Sequence, residues 1–199
     1  MKKIYIDAGH GGSDAGAVNG NRYEKTDTLN LAALIEYELE KQDVNVKLSR
    51  TSDISKGLSA RISEANNWGA DYFLSIHRNS FNGSASGHEA WVINTATTKT
   101  QQQAATILNA VVGVDNLANR GVKLGAPSYT NFAVNRDTKM PSCLLEVGFI
   151  SNTKDNDSFD KNIGNYANAI ARALCKILDV TWKEPILGDI DGDGKITAK

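Results

Sequence analysis

Little in this chain points toward cross-linking, nucleic acid or the lipid bilayer. It has two cysteines and three prolines in 199 residues, and its formal net charge is −1. Cys143 lies in an apolar strand-like run and Cys175 on an apolar helical face, with neither a CxxC nor a metal-ligand spacing, so both read as buried, reduced thiols. Near-neutral charge without a Lys/Arg run argues against nucleic acid as a partner, because neutralising phosphates takes clustered cations. No run approaches the roughly 18 apolar residues of a membrane-spanning helix, and membrane binding has no other support.

What is present is an apolar fraction of 41% over a length suited to one domain with a buried core. Strand-like runs alternate with amphipathic helical stretches. That order predicts an α/β fold, a single domain over 1–180 with a mostly parallel central sheet and helices on both faces. The N-terminal MKKIYIDAGHGG has a charged start, but Asp7 interrupts its apolar stretch, so it reads as a first strand and not a removable leader. A Gly-rich loop over 8–21 leads to a helix expected near 27–42, with Leu31, Leu34, Ile35 and Leu39 as its inward stripe. Val44, Val46 and Leu48 alternate as a strand.

A helix is expected over about 56–68, with Leu58, Ile62 and Ala65 inward and Gly69 as its stop. Strands are expected over 71–76, 89–93 and 142–147, and helices over about 99–112 and 162–178. The stretch 113–141 is the least regular, with a short strand placed near 132–134. Thr181 to Leu187 reads as a linker around Pro185.

Three strand-like runs end on a residue that can bind or serve a metal: His10, His77 and Glu146. In open α/β sheets the carboxyl ends of strands are where distant side chains converge on a ligand. A catalytic zinc takes three protein ligands and keeps one position open, so two imidazoles call for a carboxylate. Glu24, between the Gly-rich loop and the first helix, is the preferred third donor. Asp7 and Asp14 compete with it, and Asp7 is the alternative outer-shell partner for His10.

Glu146, at the end of a nearly continuous apolar strand, would be costly to bury without a cation or a function. Beside an activated water it could serve as general base. The structural alternative is a salt bridge to Arg136 or Arg61. His88 reads first as a surface or hydrogen-bonded loop histidine and otherwise as a substrate contact. Gly9, Gly11, Gly12 and Gly16 do not make a nucleotide loop, since neither GK[ST] nor a spaced GxGxxG follows the strand.

The segments IDAGHGGSDAGA at 6–17, Glu24-Lys25, Arg61 with Ala65-Asn66, Ala70-Asp71, SIHRN at 75–79 and LEVGFISN at 145–152 resemble, in order, the zinc-dependent N-acetylmuramoyl-L-alanine amidases of the amidase 3 type. The resemblance implies one Zn2+ held by His10, Glu24 and His77, with Glu146 as the catalytic glutamate. The substrate it implies is peptidoglycan, cut at the amide between muramic acid and L-alanine. Asn79, Arg78 and His88 are then expected near substrate. Arg78 departs from the family's usual small residue, and either contacts a muropeptide carboxylate or forms a solvent-facing salt bridge. A catalytically silent wall-binding module is the competing reading.

Without a leader, such an enzyme is expected to be made in the cytoplasm and to reach the wall after release, as a phage endolysin or a bacterial autolysin. Residues 188–199 resemble the start of a dockerin-like calcium loop, with oxygens at Asp189, Asp191 and Asp193 and Gly194 at the turn. The twelfth position falls beyond Lys199, so tight Ca2+ binding is not expected. Such a tail implies either a missing C-terminal targeting or anchoring module or a vestigial segment.

Overall fold

The pleat of the central strands sorts side chains to two faces, and that sorting organises the molecule. The structure is a computed structural model that describes residues 1–126, 130 and 132–184. Its main sheet contains β1 (Lys2–Ala8), β4 (Val44–Leu48), β5 (Tyr72–Asn79), β6 (His88–Val92), β7 (Asn119–Leu124) and β8 (Ser142–Phe149), in the order β4-β1-β5-β8-β6-β7. The first four in that order are mutually parallel. β6 runs antiparallel to β8 and parallel to β7. Two-residue strands β2 (Val18–Asn19) and β3 (Arg22–Tyr23) pair as a separate hairpin.

On one face Ile4, Ile6, Leu74, Cys143 and Leu145 meet three long helices: α1 (Glu24–Glu40), α3 (Thr98–Asp115) and α5 (Thr153–Ile177). On the other, Tyr5, Phe73 and Leu144 pack with Ile62 and Ala65 of α2 (Leu58–Trp68) and Val134 of α4 (Ala133–Arg136). The larger cluster holds most of the buried apolar side chains, whose removal from water is the dominant favourable term in folding. Both cysteines are free and buried within it.

Helix α1 begins three residues before its expected start. Its first amide groups find acceptors in the Gly-rich loop, Glu24 N–H donating to Ala17 O at 3.0 Å and Lys25 N–H to Ala15 O at 3.2 Å. Helix α5 begins nine residues early, because Asn152 caps it by accepting from the amides of Lys154 and Asp155. The strand expected near 132–134 is the short helix α4, and β7 was not anticipated at all. Gly69 does stop α2, at φ 68, whereas Leu58, expected inward, is 56% exposed.

Of the expected linker, 181–184 is laid on the domain. Lys183 N–H donates to Gln42 Oε1 at 2.8 Å, and Trp182 packs against the larger core cluster. The rest of the linker and the calcium-loop candidates Asp189, Asp191 and Asp193 lie outside the described residues. None of the described helices is long and apolar enough to cross a membrane.

Candidate metal and catalytic site

At the carboxyl ends of β1, β5 and β8 a cleft of about 590 Å³ is lined by His10, Glu24, His77, Asn79 and Glu146, with Leu58 and Phe132 among its walls. His10 sits just past β1 with φ 61, a left-handed conformation costly for a residue with a Cβ. Two buried arginines hold it there. Arg61 donates through Nη2 to His10 O at 2.6 Å and through Nη1 to Ala8 O at 2.6 Å, while Arg50 Nη2 reaches Gly9 O at 2.9 Å. Close approach also explains Gly9, where a Cβ would lie 2.5 Å from His77 Cε1, and Gly16, where it would lie 2.7 Å from Glu24 Oε2.

His10 Nε2 is 3.1 Å from Glu24 Oε2, and His77 Nδ1 is 2.9 Å from Glu24 Oε1. One donor atom from each of the three residues falls within 4.8 Å of the others, so the group could hold a metal ion. Two imidazoles and a carboxylate opening onto a cleft are the donor set of a catalytic zinc site. Backbone amides fix the carboxylate, Ala17 N–H donating to Oε2 at 2.8 Å and Arg78 N–H to Oε1 at 2.9 Å. Burial alone would raise the Glu24 pKa, but hydrogen bonds from His10 and His77 outweigh it and hold the carboxyl far below its usual value. Burial pulls the His10 pKa down, and its bonds to Glu24 and Asp14 carry it above the ordinary value.

The competing carboxylates have other tasks. Asp7 accepts from Arg61 Nη1 at 2.6 Å and from Ser75 Oγ at 2.8 Å, so it does not orient the His10 ring. Asp14 does, with Oδ2 2.9 Å from His10 Nδ1, leaving Nε2 to face Glu24.

Glu146 stands beside His77 in the β5–β8 register and opposite Glu89 in the β6–β8 register. Its Oε2 is buried with no hydrogen-bond partner among the described residues. Neither Arg61 nor Arg136 forms the salt bridge considered as its structural alternative: Arg61 pairs with Asp7 and Arg136 with Asp137. Burial, reinforced by the negative charges of Glu24 and Glu89, pushes its pKa well above the ordinary glutamate value. An acid held in this way keeps its proton to a higher pH than an exposed glutamate does.

Asn79 lines the cleft and donates through Nδ2 to Glu89 Oε1 at 2.8 Å. Glu89, which the sequence reading passed over, is 3% exposed and also accepts from Trp91 Nε1, Arg120 Nε and Lys123 Nζ. Two expected substrate contacts are corrected. The Arg78 guanidinium is buried against Asp27 and Asn156, so it is not solvent-facing and its fork is engaged within the protein. His88, the first residue of β6, is 1% exposed, bonded through Nε2 to Asp115 Oδ1 at 3.1 Å and packed edge-on against Tyr166. Position 78 follows His77 and position 88 precedes Glu89, so the pleat turns both toward the three-helix face.

A model of the amidase 3 family, described as N-acetylmuramoyl-L-alanine amidase, matches residues 4–176. The chain is 40% identical over 182 residues to the N-acetylmuramoyl-L-alanine amidase CwlM of Bacillus licheniformis, covering 87% of this chain and 69% of the relative. Among solved structures it is similar to the catalytic domain of CwlV, an N-acetylmuramoyl-L-alanine amidase from Bacillus (Paenibacillus) polymyxa var. colistinus, with a TM-score of 0.83 and 35% identity over 91% of this chain and all of that one. An N-acetylmuramoyl-L-alanine amidase from Clostridium difficile 630 superposes with a TM-score of 0.83 at 34% identity, covering 89% of this chain and 97% of that one. Matched from its first strand to its last helix, this chain belongs to the amidase 3 family of N-acetylmuramoyl-L-alanine amidases.

Proposed function

We propose that the chain hydrolyses the amide bond between N-acetylmuramic acid and L-alanine in peptidoglycan, with a Zn2+ held by His10, Glu24 and His77 and with Glu146 as the proton carrier. The observation that carries this reading is the convergence of the three donors within 4.8 Å beside Glu146, in one cleft. Zinc there would supply Lewis acidity, polarising the scissile carbonyl and lowering the pKa of the attacking water. Glu146, adjacent to His77 in register, takes the proton from that water and delivers it to the alanine nitrogen as the amide breaks. Asp14 keeps the His10 ring turned so that Nε2 is the donor. Asn79, with one amide hydrogen on Glu89, has a second to offer a substrate oxygen.

A silent wall-binding module would have no use for Glu146 beside a complete donor set. Purified cell walls incubated with the zinc-loaded chain should release peptides bearing free L-alanine amino termini, identified by mass spectrometry. Glu146→Ala should bind zinc and release none. If the zinc-loaded wild type releases no such ends from several wall types, the reading is wrong and the binding module takes its place.

A further inference from the structure

Arg78 is among the largest fully buried side chains, and its charge touches no atom of the proposed catalytic apparatus. Its main chain does, since Arg78 N–H donates to Glu24 Oε1 at 2.9 Å. Its guanidinium reaches the same helix from another side, with Nη1 2.6 Å from Asp27 Oδ2. Glu24 and Asp27 are three residues apart in the first turn of α1, on one side of the helix. One residue at the end of β5 therefore grips that turn at two points, immediately after the donor His77.

The grip is continued outward. Arg78 Nη2 donates to Asn156 Oδ1 at 2.7 Å, and its Cζ lies 4.2 Å from the centre of the Phe159 ring. Arg22, two residues before Glu24, donates through Nε to the same Asp27 oxygen at 2.8 Å and forms two bonds to Asp160 at 2.9 and 2.7 Å. Its Cζ lies 5.4 Å from the same Phe159 ring. The hairpin strand β3, the first turn of α1, the end of β5 and α5 are thus tied around the buried Arg78 guanidinium and the Phe159 ring.

We propose that Arg78 is a positioning residue for the metal donors, holding the Glu24 turn in register with His77 through the Arg78–Asp27–Arg22 network. The inference rests on the donor set assigned above. Metal affinity depends on donor placement to about 0.2 Å, and outer partners that fix it typically contribute 10–100-fold. Arginine suits the task because its planar fork serves Asp27 and Asn156 together, whereas a lysine ammonium is a single point on a flexible stem.

The experiment is zinc affinity by competition with a chromophoric chelator, on protein shown to be folded by circular dichroism, together with the absorption spectrum of the cobalt-substituted form. Arg78→Ala should bind zinc about 10–100-fold more weakly than wild type. Arg78→Lys and Asn156→Ala, which each keep part of the grip, should fall between them, and all three should shift the cobalt bands. Arg172→Ala, which breaks an exposed pair with Glu184, should match wild type in both. If Arg78→Ala does not fold, the two milder variants decide. Folded variants with lowered melting temperature but wild-type zinc affinity and cobalt spectrum would reduce Arg78 to a structural ion pair and overturn the inference. A wild-type chain that takes up no zinc would sink the functional reading first, and the inference with it.

Discussion

Replacing Glu146 with glutamine should abolish turnover and at the same time make the metal-free protein more stable, by an amount that grows with pH. In the unfolded chain the Glu146 carboxyl ionises near 4.5, whereas in the folded chain burial and the charges of Glu24 and Glu89 hold its pKa well above that value. The proton is therefore bound more tightly in the folded state. Below 4.5 both states are protonated and wild type has no disadvantage. As pH rises above 4.5 the unfolded state gains by ionising, and wild type loses about 1.4 kcal/mol per pH unit until the folded value is passed. Between pH 4.5 and 6.5 the loss reaches at most about 2.7 kcal/mol. Glutamine does not titrate, so it escapes the loss. At this chain length about 1 kcal/mol moves the melting temperature by about 2–4 °C, so Glu146→Gln should melt higher than wild type at pH 6.5, by no more than roughly 5–11 °C, and level with it at pH 4.5. The assay is paired thermal melts in EDTA across that range, where the other carboxylates cancel in the difference. Wall hydrolysis by the zinc-loaded variant should fall at least 10²-fold. A melting difference that stays flat with pH, or a variant less stable at pH 6.5, would refute the account of Glu146 as an acid with a buried, unpartnered oxygen.

Zinc at 100 times its dissociation constant should stabilise the wild type by about 2.7 kcal/mol, a melting rise of roughly 5–11 °C that EDTA reverses and that His77→Ala should lack. Leu174→Ala, at a fully buried position on α5, should cost about 2–5 kcal/mol in urea unfolding with little change in zinc affinity per folded molecule. Gly87→Ala should destabilise more than an ordinary surface change, because φ is +109° and the new Cβ would lie 2.3 Å from Ala118 O. A wild-type melting temperature for that variant would contradict the close approach of the loop to residue 118.

Much of the architecture was legible because the long buried elements carry clear periods. Ile4 and Ile6 alternate with Tyr5 across β1, and Leu31, Ile35 and Leu39 repeat along α1. Where structure comes from capping or from an edge, the pattern is silent. Residues 153–161 read TKDNDSFDK, almost without apolar period, and become helix because Asn152 caps them and the rest of α5 is already buried. β7 is an edge strand of exposed and half-buried residues, so it lacks the buried face that marks a strand. Leu58 fits the helical stripe of α2 by spacing, yet it stands at the first position of the helix, above the core, and walls the cleft.

The site was legible in its residue types and less so in its directions. Strand ends pointed to His10, His77 and Glu146, and the need for a carboxylate put Glu24 ahead of Asp7 and Asp14 without excluding them, but a strand end says nothing about which face a side chain takes. Period two decides that. Phe73 and Leu144 face α2 and α4, so His77 and Glu146, each an even number of residues further on, share that face and the cleft. Leu74 faces the long helices, so Arg78 does too, and Ala90 places His88 there by the same count. Of the three residues expected near substrate, Arg78 and His88 each lie next in sequence to a residue of the cleft face and are the ones the pleat turns away, whereas Asn79, two residues beyond His77, lines the cleft. Glu89 was overlooked although Trp91 sets its face by the same rule. In a sheet-edge site, candidates two residues from a donor merit more weight than its immediate neighbours, and the neighbours are where the buried struts behind the site are to be sought.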